Sequence, residues 1–349
     1  MAAVLSKYQV SEDKYTKDSK DFASGSYGKC YKGVMKTTKK KICIKDLKKV
    51  PKKKDELNTF LQELLIMADI YHPGCLTLVG YTPPPEKFDR KEKKMTYKVG
   101  PSVITPFMER GSLSNLIRMY MTSLVNPSAA PKLNYPTLYT ICLYGMAKAM
   151  AFLHSKNIVH RDFKPDNVLL NTFYEPVIGD FGLSSHGTSE DTNVGGGVGS
   201  PLFMAPELHL QDTVTRKVDV YAYGVTLYQM WQKDLQSFII NDGLGQPTSF
   251  QEFQQRIVKG ARFAYDQTAL PPPQVIKMIE SCWHSDPAQR PEFTDIAAYF
   301  ENPQNWMPGT NSEDFQNYKT KIEIAEEEKH FIRNKTNHVY SPIPRTSNH

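Results

Sequence analysis

The chain has 349 residues, which is long enough for one large or two modest domains. Its composition, 40% hydrophobic and 23% charged, is ordinary for a globular protein, and no apolar run approaches the ~18 residues of a membrane span. The net charge of +6 is unevenly placed: residues 1–110 carry 23 Lys and Arg against 13 Asp and Glu, a net +10, and the remainder carries 20 against 24, a net −4.

The basic half of the chain admits two interpretations. It could attract nucleic acid or an anionic membrane, or it could be a solvated lysine-rich surface around a polyphosphate site. The lysines have no interleaved aromatic residues and no nucleic-acid motif, so the second interpretation is favoured and we expect no nucleic-acid partner.

The N-terminal residues and the cysteines indicate the cellular compartment in which the protein is expected. The first seven residues have neither a basic start nor a long apolar middle, so they are not a secretory signal, and Ala2 excludes myristoylation on glycine. The five cysteines are odd in number and scattered, with no C-x-x-C pair, which argues against a disulfide framework or a zinc site. We therefore expect a cytoplasmic protein, and the lysine-rich run 48–54 leaves nuclear entry open.

The first predicted elements are strands. Residues 1–14 are polar and are expected to be flexible. From Lys20 to Lys45, short apolar runs broken by glycine and by a turn predict three antiparallel strands. Glycines in the turn from Ala23 to Gly28 would let the backbone close over phosphates, although a Gly-x-x-Gly turn is also typical of a plain hairpin.

Two charged residues lie in apolar surroundings. Lys45 closes an apolar strand, where a lysine could simply have reached solvent. Residues 59–70 have helical periodicity, and Glu63 lies beside the apolar stripe of this helix rather than opposite it. A carboxylate in that position needs a cationic partner, for which Lys45 is a candidate.

The rest of the chain is predicted to contain two more strands, several helices and three irregular segments. The pattern predicts strands at 76–81 and 102–107, with an exposed inserted loop at 81–99 between them. A hinge is predicted at 108–112. Helices are predicted at 113–125, 137–156, 218–231, 253–258, 274–282 and 293–300. The segment 183–200 is rich in Ser, Thr and Gly and is predicted to be a mobile loop. Residues 303–349 are predicted to be a polar tail with a helical patch at 323–333.

A polar segment at 160–167 interrupts the apolar elements. Asp162 could accept the proton of an attacking hydroxyl, Lys164 could hold a transferred phosphate and Asn167 could hold a metal ion. A plain polar loop between a helix and a strand is the alternative interpretation. A further acid, Asp180, ends a short apolar strand and is followed by Phe181 and Gly182.

These residues resemble, in order and spacing, the signature set of eukaryotic protein kinases. The resemblance covers about residues 15–302 and depends on Lys45, Glu63, His160-Arg161-Asp162, Asn167, Asp180-Phe181-Gly182, Ala205-Pro206-Glu207, Asp219 and Arg290. It implies an α+β bilobal fold, with a small antiparallel five-stranded sheet and one helix in the N-lobe (15–108) and a mainly helical C-lobe (109–302). It also implies ATP and Mg²⁺ as cofactors.

The resemblance assigns roles to the charged residues. Lys45 would bind the α- and β-phosphates and pair with Glu63, while Asp180 and Asn167 would each hold a Mg²⁺ ion. Asp162 would orient and deprotonate the substrate hydroxyl. Lys164 would stabilise the γ-phosphate during its transfer.

The resemblance also implies a nucleotide pocket. The phosphate loop would be Ala23, Gly25, Ser26 and Gly28, adenine would lie between Cys30, Cys43 and Leu169, and the back and linking strand would be Thr105, Pro106 and Met108. Ala23 stands where the family usually has its first glycine, and its Cβ is expected to weaken nucleotide binding modestly.

Supporting residues match the family as well. Met67, Leu78, His160 and Phe181 fall where the family stacks side chains that lock the active state. Glu207 with Arg290 resembles the buried ion pair under the substrate platform, and Asp219 resembles the acid that caps the catalytic loop from below.

The substrate class follows from two signals that point to different branches of the family. Lys164 and Ser200 fit the serine/threonine-specific pattern, whereas Gly111-Ser112-Leu113 and the segment 282–291 resemble the tyrosine-kinase-like group. The combination predicts a tyrosine-kinase-like serine/threonine kinase acting on protein substrates. A pseudokinase scaffold and a kinase of tyrosine or dual specificity are the alternatives.

Arg161 suggests control by phosphorylation within 184–200, by an upstream kinase or by autophosphorylation. Thr188, Ser189 and Thr192 are candidate acceptors. Ser184-Ser185-His186 replaces the basic residue that many relatives use to complete the phosphate pocket, so the switch and its acceptor stay open.

Overall fold

An antiparallel sheet and one long helix form the N-terminal lobe. The computed structural model describes residues 2–24, 28–48, 54–83, 86–89, 94–97, 100–186, 199–210, 215–232 and 240–338. In chain order the elements of this lobe are α1 (Ala2–Leu5), β1 (Tyr15–Lys17), β2 (Ala23–Ser24), β3 (Gly28–Met35), β4 (Lys41–Leu47), α2 (Lys54–Asp69), β5 (Gly80–Thr82), β6 (Glu86–Asp89), β7 (Lys94–Tyr97) and β8 (Ser102–Pro106). The sheet has the order β1-β3-β4-β8-β5, and β2 also pairs with β3. The sheet has six strands, and because β1 and β2 both pair with β3, five strands lie side by side across it.

The two faces of β4 differ: one packs into an apolar core, and the other carries a charged side chain. Side chains alternate between the faces of a strand. Ile42 and Ile44 pack with Tyr15 and Ile104 into a small apolar core on one face. Lys45, one position after Ile44, projects from the opposite face and contacts Glu63 of α2, so α2 lies on that face.

The predicted loop at 81–99 contains a hairpin. Strands β6 and β7 pair antiparallel, with Phe88 opposite Met95. The prediction of an exposed inserted loop did not include this regular hairpin. Its many charges concealed a short alternation of polar and apolar residues, which is the pattern of a strand.

The C-terminal lobe is mainly helical. Its helices are α3 (Leu113–Val125), α4 (Tyr135–Ser155), α5 (Pro206–His209), α6 (Lys217–Gln229), α7 (Phe250–Val258), α8 (Pro273–Cys282), α9 (Phe293–Glu301) and α10 (Ser312–His338). Its short strands are β9 (Ile158–Val159), β10 (Val168–Leu170), β11 (Pro176–Ile178) and β12 (Ser185–His186). No helix within the described ranges is long and apolar enough to cross a membrane.

Helices α4 and α6 form the centre of this lobe. Both are buried along nearly their whole length, so their polar groups need internal partners. The hydroxyl of Tyr223 donates to the carbonyl of Leu143 at 2.8 Å, and that of Tyr139 donates to the carbonyl of Met230 at 3.0 Å. These bonds fix the two helices against each other directly beneath the polar segment 160–167.

The N-terminus is attached to the domain. Leu5 is 4% exposed within the main core, and Val10 donates its N–H to the carbonyl of Tyr81 at 2.9 Å. The sequence predicted a flexible segment at 1–14, whereas Leu5 and Val10 within it contact the rest of the domain. Isolated apolar residues in a polar stretch gave too weak a pattern to show that they pack.

The expected polar tail begins as a packed helix. Phe315, Tyr318 and Ile322 lie on one face of α10, and each is buried against the C-lobe. Trp306 precedes the helix and contacts the Phe315 ring, with centroids 4.4 Å apart. Residues 303–322 thus extend the core beyond residue 302, where the predicted domain ended.

A polar cluster joins α10 to the loop after α2. Glu326 accepts hydrogen bonds from His72 at 3.2 Å and from Lys148 at 3.0 Å. His72 Nδ1 accepts the N–H of Gly74 at 3.0 Å, so Nε2 carries the proton that is donated to Glu326. Burial alone would raise the pKa of Glu326, but the hydrogen bonds from His72 and Lys148 outweigh it and lower the pKa.

Replacing Glu326 with glutamine is expected to destabilise the protein by about 1 kcal/mol at pH 7. Charged hydrogen bonds contribute about 1.5–3 kcal/mol, and partial exposure of the carboxylate reduces this. Because its pKa is lower in the folded state, the stabilisation is present above the pKa of the unfolded chain and is lost as pH falls through the folded value. Urea unfolding at pH 7 and pH 4 measures both effects.

The control for this prediction is Glu323→Gln on the same helix. Glu323 is 46% exposed and pairs with Lys319 at 3.6 Å, so its loss is expected to change stability by less than about 0.5 kcal/mol. Equal effects of the two substitutions, or a difference from wild type that persists undiminished in acid, would contradict the role of the cluster.

Candidate active site

Lys45 lies between two carboxylates. Strand β4 places its ammonium 3.7 Å from Glu63 Oε1 of α2 and 3.7 Å from Asp180 Oδ1. Burial alone would lower the pKa of Lys45, but the two carboxylates outweigh it and raise the pKa, so the amine stays protonated. The two charges that the sequence placed in apolar elements are thus partners, and a third residue joins them.

The backbone at Asp180 is held in an uncommon conformation. Its φ of 59° lies in the left-handed region, which is unfavourable for a residue with a Cβ. The next residue, Phe181, is 1% exposed and packs edge-on against His160, with ring centroids 5.5 Å apart. Met67 and Leu78 belong to the same core as Phe181. Because Phe181 is fixed in this core, the adjacent Asp180 carboxylate is kept beside Lys45.

The segment 160–167 gathers its polar side chains around one carboxylate. Asp162 Oδ2 accepts hydrogen bonds from Lys164 Nζ at 2.7 Å and from Asn167 Nδ2 at 2.9 Å. Asn167 Nδ2 also donates to the Asp162 carbonyl at 2.8 Å. Lys164 Nζ contacts a second group as well, the hydroxyl of Ser200. The loop, its carboxylate and the segment that begins at Ser200 are therefore linked through a single ammonium.

Asp219 of α6 anchors this loop from below. Its carboxylate accepts the main-chain N–H groups of His160 and Arg161, each at 2.8 Å, and lies 2.9 Å from His154 Nε2. Burial alone would raise the pKa of Asp219, but these hydrogen bonds outweigh it and lower the pKa. The predicted cap is present. His154 was missed, because inside the apolar helix α4 it resembled an ordinary core histidine.

A buried ion pair supports the region after Ser200. Both guanidinium nitrogens of Arg290 donate to Glu207, at 2.6 and 2.9 Å, and the side chain of Arg290 is fully buried. Arg290 also donates to the carbonyls of Lys217 at 3.0 Å and His284 at 2.9 Å. The pairing suggested by the sequence is therefore a bidentate contact that ties α5 to the loop before α9.

Part of the predicted phosphate loop lies outside the described residues, namely Gly25 and Ser26. Ala23 is in β2 and pairs with Cys30. Gly28 begins β3, and a Cβ at this position would come within 2.4 Å of the Asp46 carbonyl oxygen. Only glycine fits this close approach of the two strands.

The predicted adenine residues lie on three strands, β3, β4 and β10, and the predicted back and linking strand lies on β8 and the segment after it. Cys43 is opposite Thr105 in the β4–β8 pairing, and Thr105 is 9% exposed. Pro106 ends β8 opposite Ile42, and partly buried Met108 follows it. Leu169 of β10 is partly buried on the C-lobe side. Their role in nucleotide binding stays a prediction.

The predicted mobile loop has an ordered start. Ser185 and His186 form β12, which pairs with Val159 and Ile158 of β9. Residues 187–198, with the candidate acceptors Thr188, Ser189 and Thr192, lie outside the described residues. Regulation by phosphorylation therefore stays a prediction.

The side-chain oxygens of Asn167 and Asp180 are donors that suit a hard cation. Asn167 uses its amide nitrogen for both bonds to Asp162, which leaves its carbonyl oxygen for a ligand, and the Asp180 carboxylate is 44% exposed. Among the described residues there is no cluster of three or more His, Cys, Asp or Glu that could hold a metal. Such a sparse site suits Mg²⁺, which takes one or two protein oxygens together with substrate phosphates and water.

The two-lobed fold, with a lysine–carboxylate cluster above a polar loop, defines the protein kinase class of phosphotransferases. The family model described as protein tyrosine and serine/threonine kinase matches residues 16–300. The chain belongs to this family.

Curated proteins with similar sequences carry kinase names. The serine/threonine/tyrosine-protein kinase HT1 of Arabidopsis thaliana is 27% identical over 292 residues, covering 80% of this chain and 64% of that protein. The serine/threonine-protein kinase CTR1 of the same plant is 30% identical over 247 residues, covering 69% and 26%. The dual specificity protein kinase shkB of Dictyostelium discoideum is 26% identical over 292 residues, covering 82% and 39%. The chain spans less than two-thirds of the length of each.

Proposed function

We propose that this protein kinase transfers the γ-phosphate of ATP to serine and threonine hydroxyls of protein substrates. The observation that carries the proposal is the double contact of Lys164, which bonds both Asp162 and Ser200. This contact keeps the segment at Ser200 close to the Asp162 carboxylate. A substrate backbone lying there would bring a short serine or threonine side chain to Asp162, whereas a tyrosine would extend its hydroxyl beyond it.

The residues have distinct proposed roles. Asp162 accepts the proton of the substrate hydroxyl at its carboxylate, and Lys164 offsets the negative charge of the phosphoryl group as it transfers. Lys45 holds the α- and β-phosphates, while Glu63 orients the Lys45 ammonium. Asn167 and Asp180 would hold Mg²⁺, which supplies further neutralisation of phosphate charge when bound.

Dual specificity is the second candidate. Two of the similar proteins carry names that include tyrosine or dual specificity, and tyrosine could therefore be an additional acceptor. A rival class, the pseudokinase, is disfavoured because Lys45, Asp162, Asn167 and Asp180 are all present.

Three degenerate peptide libraries, with serine, threonine or tyrosine as the sole acceptor, distinguish these functions. The purified full chain is incubated with labelled ATP and Mg²⁺, beside the Asp162→Asn variant as a blank. Incorporation into the serine and threonine libraries alone is the expected result. Equal incorporation into tyrosine would establish dual specificity, tyrosine as the sole product would overturn the proposal, and signal equal to the blank in all three would support a pseudokinase.

Replacing Ser200 with alanine is expected to lower kcat/KM for serine peptides about tenfold. The substitution removes a hydrogen bond to a charged group, which contributes about 1.5 kcal/mol or more. Ser200→Thr keeps the hydroxyl and is the matched control, expected to stay within about twofold of wild type. Steady-state kinetics on one serine peptide measures both, and an alanine variant as active as the threonine variant would show that the contact does not position Lys164.

A further inference from the structure

A short segment near the start of the chain lies along the outer edge of the N-lobe sheet. Gln9 pairs in parallel with Tyr81 of β5, and the Val10 N–H donates to the Tyr81 carbonyl at 2.9 Å. The hydroxyl of Thr82 in turn donates to the Val10 carbonyl at 2.7 Å. Residues 5–10, the edge segment, therefore cover β5, which is the terminal strand of the sheet.

The fit between the edge segment and β5 is so close that it requires glycine at position 80. A Cβ on Gly80 would come within 2.4 Å of Val10 Cγ2 and within 2.9 Å of the Tyr8 carbonyl oxygen. Only glycine admits such an approach. Val10 also packs against the small apolar core that contains Ile42 and Ile44. Docking of the edge segment is therefore part of the design of the sheet.

The same segment contacts the end of α2. The Tyr8 hydroxyl donates to the carbonyl of Ala68 at 3.2 Å, and Ala68 lies in the last turn of the helix. The last four carbonyls of a helix have no partner within it, so this bond satisfies a group that needs an outside donor. Leu5, which is 4% exposed, belongs to the core that includes Phe60 and Leu64 of α2. The edge segment thus joins α2 to the sheet.

The position of α2 is important because this helix carries Glu63. The Glu63 side chain is 12% exposed, and its Oε1 lies 3.7 Å from the Lys45 ammonium. Burial raises the pKa of Glu63 more than Lys45 lowers it, so burying this carboxylate costs free energy. Other contacts of α2 must therefore help to keep Glu63 in place. The hydrogen bond at Ala68 is less than two turns further along the same helix.

We propose that Tyr8 is a positioning residue for phosphoryl transfer, which keeps Glu63 against Lys45 by anchoring the end of α2 to the edge segment. This role rests on the proposed function, in which Glu63 orients the Lys45 ammonium. The helix transmits the constraint, because a shift of its last turn displaces the side chains along it. Without the anchor, the Lys45–Glu63 contact is formed in a smaller fraction of the molecules.

Tyr8→Phe tests the anchor, because it removes the hydroxyl and keeps the ring. The kcat/KM for a serine peptide is expected to fall about fivefold through kcat, with KM for the peptide unchanged, since one hydrogen bond is lost. Tyr299→Phe is the matched control: the Tyr299 hydroxyl of α9 donates to the carbonyl of Gln274 at 3.0 Å and is also partly buried. This control is expected to lose comparable stability and to stay within about 1.5-fold of wild-type activity.

A double-variant cycle with Glu63→Gln shows whether Tyr8 acts through Glu63. With no carboxylate left to position, Tyr8→Phe should lower kcat less than about twofold in the Glu63→Gln protein. Single-turnover transfer from labelled ATP measures the low activity of that protein. An equal loss in both backgrounds is what a merely structural bond would give, and it would overturn the proposal. So would a Tyr8→Phe variant as active as Tyr299→Phe.

Hydrogen exchange gives a readout that does not need activity. Tyr8→Phe is expected to speed exchange of the amides in residues 60–69 about fivefold, while the amides of α6 keep their wild-type rates. Unchanged exchange at 60–69 would show that Tyr8 does not hold α2 and would overturn the proposal. If the wild-type chain transfers no phosphate, the proposed function fails, and exchange at 60–69 still decides whether Tyr8 anchors the helix.

Discussion

Replacing Asp162 with asparagine is expected to lower kcat by about 10²–10⁴-fold while nucleotide affinity changes little. The carboxylate is the group to which Lys164 and Asn167 both donate, at 2.7 and 2.9 Å. An amide cannot accept the proton of the attacking hydroxyl at neutral pH, and its NH₂ group would face the ammonium of Lys164. The catalytic step should therefore fail although the pocket persists.

The measurement is single-turnover transfer from labelled ATP to a serine peptide, with nucleotide binding followed separately. Asp166→Asn is the matched control, because Asp166 is exposed on the same loop and accepts a hydrogen bond from Ser114 at 2.8 Å. It is expected to retain activity within about threefold. Comparable losses in both variants would mean that loop disruption, not loss of a base, explains the effect.

The arrangement of the polar segment 160–167 was predictable because its interacting residues are close in sequence. Asp162, Lys164 and Asn167 fall within six positions, so one loop conformation brings them together. The Lys45–Glu63 contact was also predictable, since two charges in apolar elements need each other. Alternation and turns predicted the three antiparallel strands between Lys20 and Lys45, and the resemblance to protein kinases implied the five-stranded sheet.

Contacts that depend on two distant surfaces could not be predicted. His154 reaches Asp219 across 65 positions, and neither residue identifies the other in the sequence. The stripe of Phe315, Tyr318 and Ile322 has helical spacing, but charged neighbours dilute it. A narrow apolar stripe indicates packing only when the surface against which it packs is known. The end of the chain was therefore predicted to be a tail.

Replacing Arg290 with methionine is expected to destabilise the protein by about 3–5 kcal/mol. The substitution leaves the Glu207 carboxylate, 10% exposed, without either of its guanidinium hydrogen bonds. A buried, unpaired carboxylate retains its full desolvation penalty. Urea unfolding followed by fluorescence measures the change, and activity should fall with the folded population because α5 loses its attachment below Ser200.

The double variant Glu207→Leu with Arg290→Met separates the ion pair from packing. With both charges removed, no carboxylate is left unpaired, so stability should recover to within about 2 kcal/mol of wild type. Lys29→Met is the exposed control: Lys29 pairs with Asp21 at 3.3 Å on the surface, and its loss is expected to change stability by less than about 1 kcal/mol. If the double variant is as unstable as Arg290→Met alone, the bonds from Arg290 to the carbonyls of Lys217 and His284, rather than the pair with Glu207, hold this region together.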